Sequence, residues 1–166
     1  FQPIFQSYYN TISDSLEEVG LTYQSQLNDG DFQQMLEKSI EKDRILQYTT
    51  VGIHKDDLVM TMGAFPIRRN GSQGQQKTFL VALKFAEFDF IKELNGITPV
   101  LLLDDLFDKF DSQRVRKIIG LVSEKHFGQI FITDTNEDRA ARILKEISAD
   151  HNVFRVDKGK ITGIDG

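Results

Sequence analysis

The chain has no cysteine and no tryptophan among its 166 residues. Without thiols it can form neither disulfides nor thiolate metal sites. No apolar run approaches the roughly 18 residues of a membrane span and no secretory leader is visible, so the reading is a cytoplasmic protein with no membrane partner. The phosphate-cradling pattern Gly-x-x-x-x-Gly-Lys-Ser/Thr is missing as well. Excess positive charge is also absent. The net charge of −5 argues against a uniformly basic nucleic-acid binder, though it leaves room for a local basic patch. Lys55, Arg68, Arg69 and Lys77 form the densest such stretch. They are either solvated turn charge or phosphate contacts whose affinity would fall steeply with salt. His54, His126 and His151 have no metal-ligand spacing.

What is present is an ordinary globular composition, 40% apolar and 27% charged. The chain opens on Phe1 inside a helical pattern, as a fragment of a longer protein would. Phe1, Ile4, Phe5, Tyr8, Ile12, Leu16 and Val19 recur at three- and four-residue spacing, which predicts an amphipathic helix closed by Gly20. Leu21 to Ser25 predicts a short strand. Asp31 caps a second helix to about Gln47, with Phe32, Leu36, Ile40 and Ile45 on or near one face. Tyr48 to Gly52 is β-prone, Asp57 to Met62 alternates as a strand does, and Gly63, Ala64 and Pro66 turn the chain into a short partner, Ile67-Arg68.

Asn70-Gly71 is a turn and Ser72 a helix N-cap. A long helix then runs from about Gln73 to Leu94, with an apolar face of Phe79, Leu80, Leu83, Ala86, Phe90, Ile91 and Leu94. Val100 to Leu103 and Gln129 to Thr133 read as strands covered on both faces. Asp111 to Glu124 and Glu137 to Ser148 read as helices, and the segments around Asp157-Lys158-Gly159 as a terminal hairpin. This order predicts an α/β layer with parallel crossovers.

Two segments carry chemistry. Asp104 and Asp105 end an apolar strand, where open α/β sheets place their ligands. One carboxylate there can hold Mg²⁺ and the other can orient an attacking water; two acids can equally well begin a solvated loop. Ser72-Gln73-Gly74-Gln75-Gln76 offers a hydroxyl, a small residue and unpaired N–H groups at a helix start, which is an anion site. It is otherwise a capped helix carrying a glycine. That glycine costs roughly 1 kcal/mol relative to Ala in a helix, a cost easier to understand if a ligand must approach the backbone.

With Lys77, that segment resembles the signature motif of ABC-type ATPases. Leu101 to Asp105 resembles their Walker B strand, and Phe110-Asp111 with Arg114 the loop that follows it. Together with Gly52-Ile53-His54-Lys55-Asp56-Asp57-Leu58, these segments resemble the RecF family, related to the heads of SMC-type proteins. The resemblance implies the C-terminal half of an ABC-type, P-loop NTPase-like α/β head over residues 48–166, preceded by a helical arm segment over residues 1–47. It implies ATP and Mg²⁺ as cofactors. Ser72, Gln73, Gly74 and Gln75 would face the γ-phosphate of ATP held by an opposing protomer. Asp104 would serve Mg²⁺, Asp105 would stand at the place of a catalytic glutamate, and Asp111 would lie in the coupling loop. The implied partners are a second copy joined through ATP, DNA at single-strand/double-strand junctions, RecR and RecO, and indirectly RecA.

Many ABC ATPases carry a γ-phosphate-sensing histidine after the second strand, whereas this chain reads Ile132-Thr133-Asp134-Thr135. Asp134 or Thr133 would take that place, and an acid there repels a phosphate unless bridged or protonated. The departure points to slow hydrolysis acting as a timer, and the piece alone is expected to be inactive. A stand-alone binding module and a metal-dependent phosphoesterase using Asp104 and Asp105 are the alternative readings.

Overall fold

The first apolar stripe folds into a helix, α1 (Gln2–Ser13), which buries Phe5, Tyr9 and Ile12. A computed structural model describes residues 1–14, 17–104, 110–124, 127–136 and 151–165. The helix ends earlier than its periodicity suggests because Asp14 turns left-handed at φ 54° and returns its N–H to the Asn10 carbonyl. Gly20 is therefore not a helix stop. It sits in β1 (Val19–Gln24), opposite Thr61 on β2 (Asp57–Met62), where a Cβ would lie 2.5 Å from Thr61 Oγ1. Close approach of two strands explains the glycine.

β2 forms as expected and pairs antiparallel with β1 from Val19↔Met62 to Gln24↔Asp57. The short partner after the Gly63-Ala64 turn is β3 (Phe65–Pro66), immediately before the expected Ile67-Arg68. Ile67–Asn70 is instead a helical turn, α3, that buries Ile67. Between β1 and β2 lies α2 (Phe32–Leu46), capped by Asp31, whose carboxylate accepts the Gln34 N–H at 2.9 Å. Its expected apolar face lies open. Phe32, Ile40 and Ile45 are exposed, and Ser39 is its buried residue. Tyr48 to Gly52 is not a strand. Asp43 accepts the Thr50 N–H and hydroxyl, and the His54 ring meets the Thr49 carbonyl at 2.8 Å, so this backbone is satisfied by side chains.

α4 (Gln73–Asn95) is the longest element. It buries Thr78, Phe79, Val81, Ala82, Phe85, Ala86 and Phe88, while Leu80, Phe90, Ile91 and Leu94 are exposed. Its middle stretch, Phe79 to Ala86, is apolar on nearly every side, so spacing alone does not single out the buried face. Phe79 packs edge-on against Phe5 (4.7 Å between centroids) and Tyr9 (6.4 Å), and Phe85 against Tyr8 (5.4 Å).

By contact the chain divides into two units, Phe1–Ala86 and Glu87–Gly166. The expected arm-and-head division at 47/48 is a different boundary, and the pairing of β1 with β2 joins residues on either side of it.

In the second unit β4 (Leu101–Leu103) and β5 (Ile130–Ile132) pair in parallel, with Leu101↔Ile130 and Leu103↔Ile132 in register. Helix α5 (Ser112–Val122) lies between them in sequence and buries Ile118, Ile119 and Val122. Both strands were expected to be covered on two faces. One face is covered, by burial of Leu101 and Leu103; Leu102 is 67% exposed and Phe131 49%. β6 (Val153–Asp157) and β7 (Lys160–Asp165) form the terminal hairpin, its turn at Lys158 and Gly159, both with positive φ as a type I′ turn requires. The helix expected from Glu137 to Ser148 lies outside the described residues. The architecture of the described residues is α/β, with one parallel pair and two antiparallel sheets.

Candidate functional site

The start of α4 is built by reciprocal capping. Ser72 Oγ accepts the Gln75 N–H at 3.2 Å, and Gln75 Oε1 accepts the Ser72 N–H at 2.8 Å. Gln76 donates from its side-chain amide to the Gly71 carbonyl at 2.8 Å, and Gln75 likewise to Glu17 at 3.0 Å. Gly71 is needed just before the cap, because a Cβ there would lie 2.8 Å from the Ile67 carbonyl oxygen. Among the described residues no acceptor meets the N–H groups of Gln73 or Gly74. Ser72 and Gln73 are exposed. The result is an open, electropositive end on a 23-residue helix.

Asp104 is exposed just past β4. The Thr133 hydroxyl, just past β5, donates to Asp104 Oδ1, while the Thr133 N–H donates to the Leu103 carbonyl at 3.0 Å. Oδ2 has no partner among the described residues. No three His, Asp or Glu side chains converge among the described residues. This geometry suits Mg²⁺, which takes one or two carboxylates and keeps water or phosphate oxygens for the rest of its octahedron. It does not suit an ion caged by protein alone. Asp105 lies outside the described residues. The pairing of Asp104 with Thr133 was not foreseen, yet parallel register signals it: Leu103 and Ile132 are partners, so the next residue on each strand shares a rung.

Asp111 turns its carboxylate inward on its own helix. Oδ1 accepts the N–H groups of Gln113 (3.1 Å) and Arg114 (2.9 Å), and Oδ2 takes the Arg114 guanidinium at 2.9 Å. These bonds, the Arg114 N–H first and then the Arg114 charge, outweigh partial desolvation and hold the carboxyl below its usual range. Asp134 Oδ1 accepts the Asn136 N–H at 2.8 Å, an Asx turn. In the His54-Lys55-Asp56 segment, Lys55 stands 4.7 Å over the Tyr48 ring, and Asp56 accepts the Tyr23 hydroxyl. That bond is the main cause lowering the Asp56 carboxyl and raising the Tyr23 phenol. Arg68 and Arg69 are exposed.

No family model matches the chain. Curated relatives do. The "DNA replication and repair protein RecF" of Bacteroides thetaiotaomicron is 53% identical over 161 residues, 97% of this chain and 44% of that protein. Those of Parabacteroides distasonis and Flavobacterium johnsoniae are 55% and 46% identical over 97% and 94% of the chain, again 44% of each relative. The chain is a RecF homologue. It spans less than half the length of these relatives. Among solved structures, the recombination mediator protein RecF in its ATPrS form, of the RecFOR pathway, superposes with a TM-score of 0.71 at 22% identity, over 96% of this chain and 42% of that one. RecF with ATP superposes with a TM-score of 0.62 at 25% identity, over 82% and 38%. The α/β arrangement is that of the RecF structures. No helix among the described residues is long and apolar enough to cross a membrane.

Proposed function

We propose that the chain is the C-terminal part of a cytoplasmic RecF-type ATPase that acts in DNA repair and replication. Residues 1–47 would contribute to an arm lobe, and residues 48–166 to the ATPase head. ATP would join two copies over DNA at single-strand/double-strand junctions. Hydrolysis would release them after RecR and RecO have helped to load RecA.

The observation that carries this reading is the start of α4. Its capping satisfies Gln75 and Gln76 internally and leaves the Gln73 and Gly74 N–H groups without an acceptor among the described residues, as a helix terminus that receives a phosphate must. Ser72 and Gly74 would meet the γ-phosphate held by the opposing protomer. Asp104 would serve Mg²⁺ through Oδ2, an ion whose contribution is to neutralise charge on the transferred phosphoryl group. Asp105 would orient water, Asp111 would hold the coupling loop through its cap, and Asp134 would lie near the phosphate-sensing position. The names of the relatives and the solved structure of RecF with ATP support the same assignment.

The test is ATP turnover with Mg²⁺ and DNA by the full-length protein, by this chain alone, and by mixtures of full-length variants. The full-length protein should turn over slowly. Asp105→Asn should abolish turnover, and this chain alone should show none. Mixing inactive Ser72→Asp with inactive Asp104→Asn should restore part of the activity, since one composite site per mixed dimer is then intact. Turnover by this chain alone would overturn the split-site reading.

A further inference from the structure

We infer that Thr133 is a positioning residue for Asp104, fixing which oxygen of that carboxylate faces a divalent cation. The inference rests on the proposed nucleotide site and on two bonds made by one residue. The Thr133 N–H donates to the Leu103 carbonyl, so the backbone of Thr133 is locked to the end of β4. The Thr133 hydroxyl donates to Asp104 Oδ1, the very next residue of that strand. A threonine has few χ1 choices because its Cβ carries two heavy atoms. With backbone and rotamer both fixed, the hydroxyl becomes a rigid donor.

The consequence falls on Asp104. An exposed aspartate at a strand end ordinarily samples several rotamers, and each cation contact must then overcome the cost of choosing one. Here Oδ1 is already engaged, and Oδ2 has no partner among the described residues. A neutral hydroxyl holds the carboxylate without neutralising it, so the charge offered to a cation is retained. Residues that orient a metal-binding carboxylate typically change metal affinity 10- to 100-fold when removed. Asp134 cannot replace Thr133 as this donor, because a carboxylate has no proton to give when ionised.

The experiment uses the full-length protein and a fluorescent ATP analogue. It measures analogue affinity in EDTA and the Mg²⁺ concentration that gives half-maximal enhancement of binding. Thr133→Val, which keeps the shape and removes the donor, should raise that Mg²⁺ requirement about tenfold and leave binding in EDTA unchanged. Thr133→Ser, which keeps the hydroxyl, should stay close to the parent. If the valine variant does not fold, Thr133→Ala removes the same donor and carries the same expectation. A valine or alanine variant with the parent's Mg²⁺ requirement overturns the inference while the ATPase reading stands. Loss of binding in EDTA together with a lowered melting temperature also overturns it, since a purely structural role for Thr133 predicts that result. A parent whose analogue binding does not respond to Mg²⁺ overturns both readings, and it does so before any variant is compared.

Discussion

The two compact units treat their apolar residues differently. In Phe1–Ala86, Phe5, Tyr9, Phe79 and Phe85 are fully buried, and rings from α1 meet rings from α4 edge to face. In Glu87–Gly166, the parallel pair buries Leu101 and Leu103 but presents Leu102 and Phe131 to solvent. Parallel strands in α/β proteins are normally covered on both faces. One unit therefore fixes the start of α4 on a packed aromatic scaffold, whereas the other carries Asp104 on a thin sheet covered on one side. The signature-like helix start is positioned by its own unit, and the rigidity of Asp104 depends more on local devices such as Thr133.

The largest effect should come from breaking the scaffold. Phe79→Ala deletes a ring that touches both Phe5 and Tyr9 and should destabilise the chain by about 3–5 kcal/mol, read as a lowered midpoint in urea with little change in slope. A cost below about 1 kcal/mol would mean that the first unit is no better packed than the second.

The next effect separates the two roles of Ser72. Ser72→Ala removes the cap on Gln75 and should cost about 1 kcal/mol. Ser72→Asp keeps a capping oxygen and should leave stability within about 0.5 kcal/mol of the parent. It should nonetheless abolish ATP turnover of the full-length protein by placing a negative charge where a phosphate would sit. Normal turnover by Ser72→Asp would remove the helix start from the proposed site.

The sequence already shows much of this comparison. α2, β2, α4, α5 and the terminal hairpin fall close to where period, capping residues and turn chemistry put them, because those are local signals, and α1 begins where its period puts it but stops at Ser13, short of Val19. The misreadings share a cause. Gly20 looked like a helix stop because the close approach of Thr61, far along the chain, cannot be seen in a window around it. Tyr48 to Gly52 looked like a strand because β-branched and aromatic residues favour one, and the competing side-chain bonds from Asp43 and His54 are tertiary. The open faces of α2 and β4 were read as buried because an apolar pattern says that a face needs covering, not that this stretch of chain covers it. The site divides in the same way. Ser72 with Gln75 is a capping box readable from spacing, whereas Thr133 and Asp104 meet only once the parallel register is known.

Helix α5 offers a smaller test, because Asp111 closes its start with a charge where Ser72 leaves the start of α4 neutral. Its carboxyl is held below the usual range, so the unfolded chain binds a proton more readily than the folded one. The stability this contributes is full above the unfolded value of about 3.9 and is lost as pH falls through the lower folded value. Asp111→Asn keeps a good cap and removes the charge. It should cost about 0.3–1 kcal/mol at pH 7, through the lost helix-dipole interaction and Arg114 pair, and should flatten the decline in stability below pH 4. An unchanged acid profile would assign that decline to other carboxylates, Asp43 and Asp56 first, whose carboxyls are also held low.

The smallest expected effect, that of Leu102→Ala, is the sharpest test of the thin sheet, because the adjacent Leu103 is a residue of the same type on the other face. Leu103 is 4% exposed and Leu102 is 67% exposed, on opposite faces of β4. Leu103→Ala should cost about 2–5 kcal/mol, the usual range for a buried leucine. Leu102→Ala in the same chain removes surface that already meets water and should change stability by less than about 0.5 kcal/mol. Equal costs would mean that the second face of the parallel pair is covered after all, and the contrast between the two units would fail at its weakest side. If the split holds in this chain but Leu102→Ala becomes costly in the full-length protein, the remaining part of that protein is what closes the sheet. The isolation of Asp104 on a half-covered strand would then be a property of this segment alone.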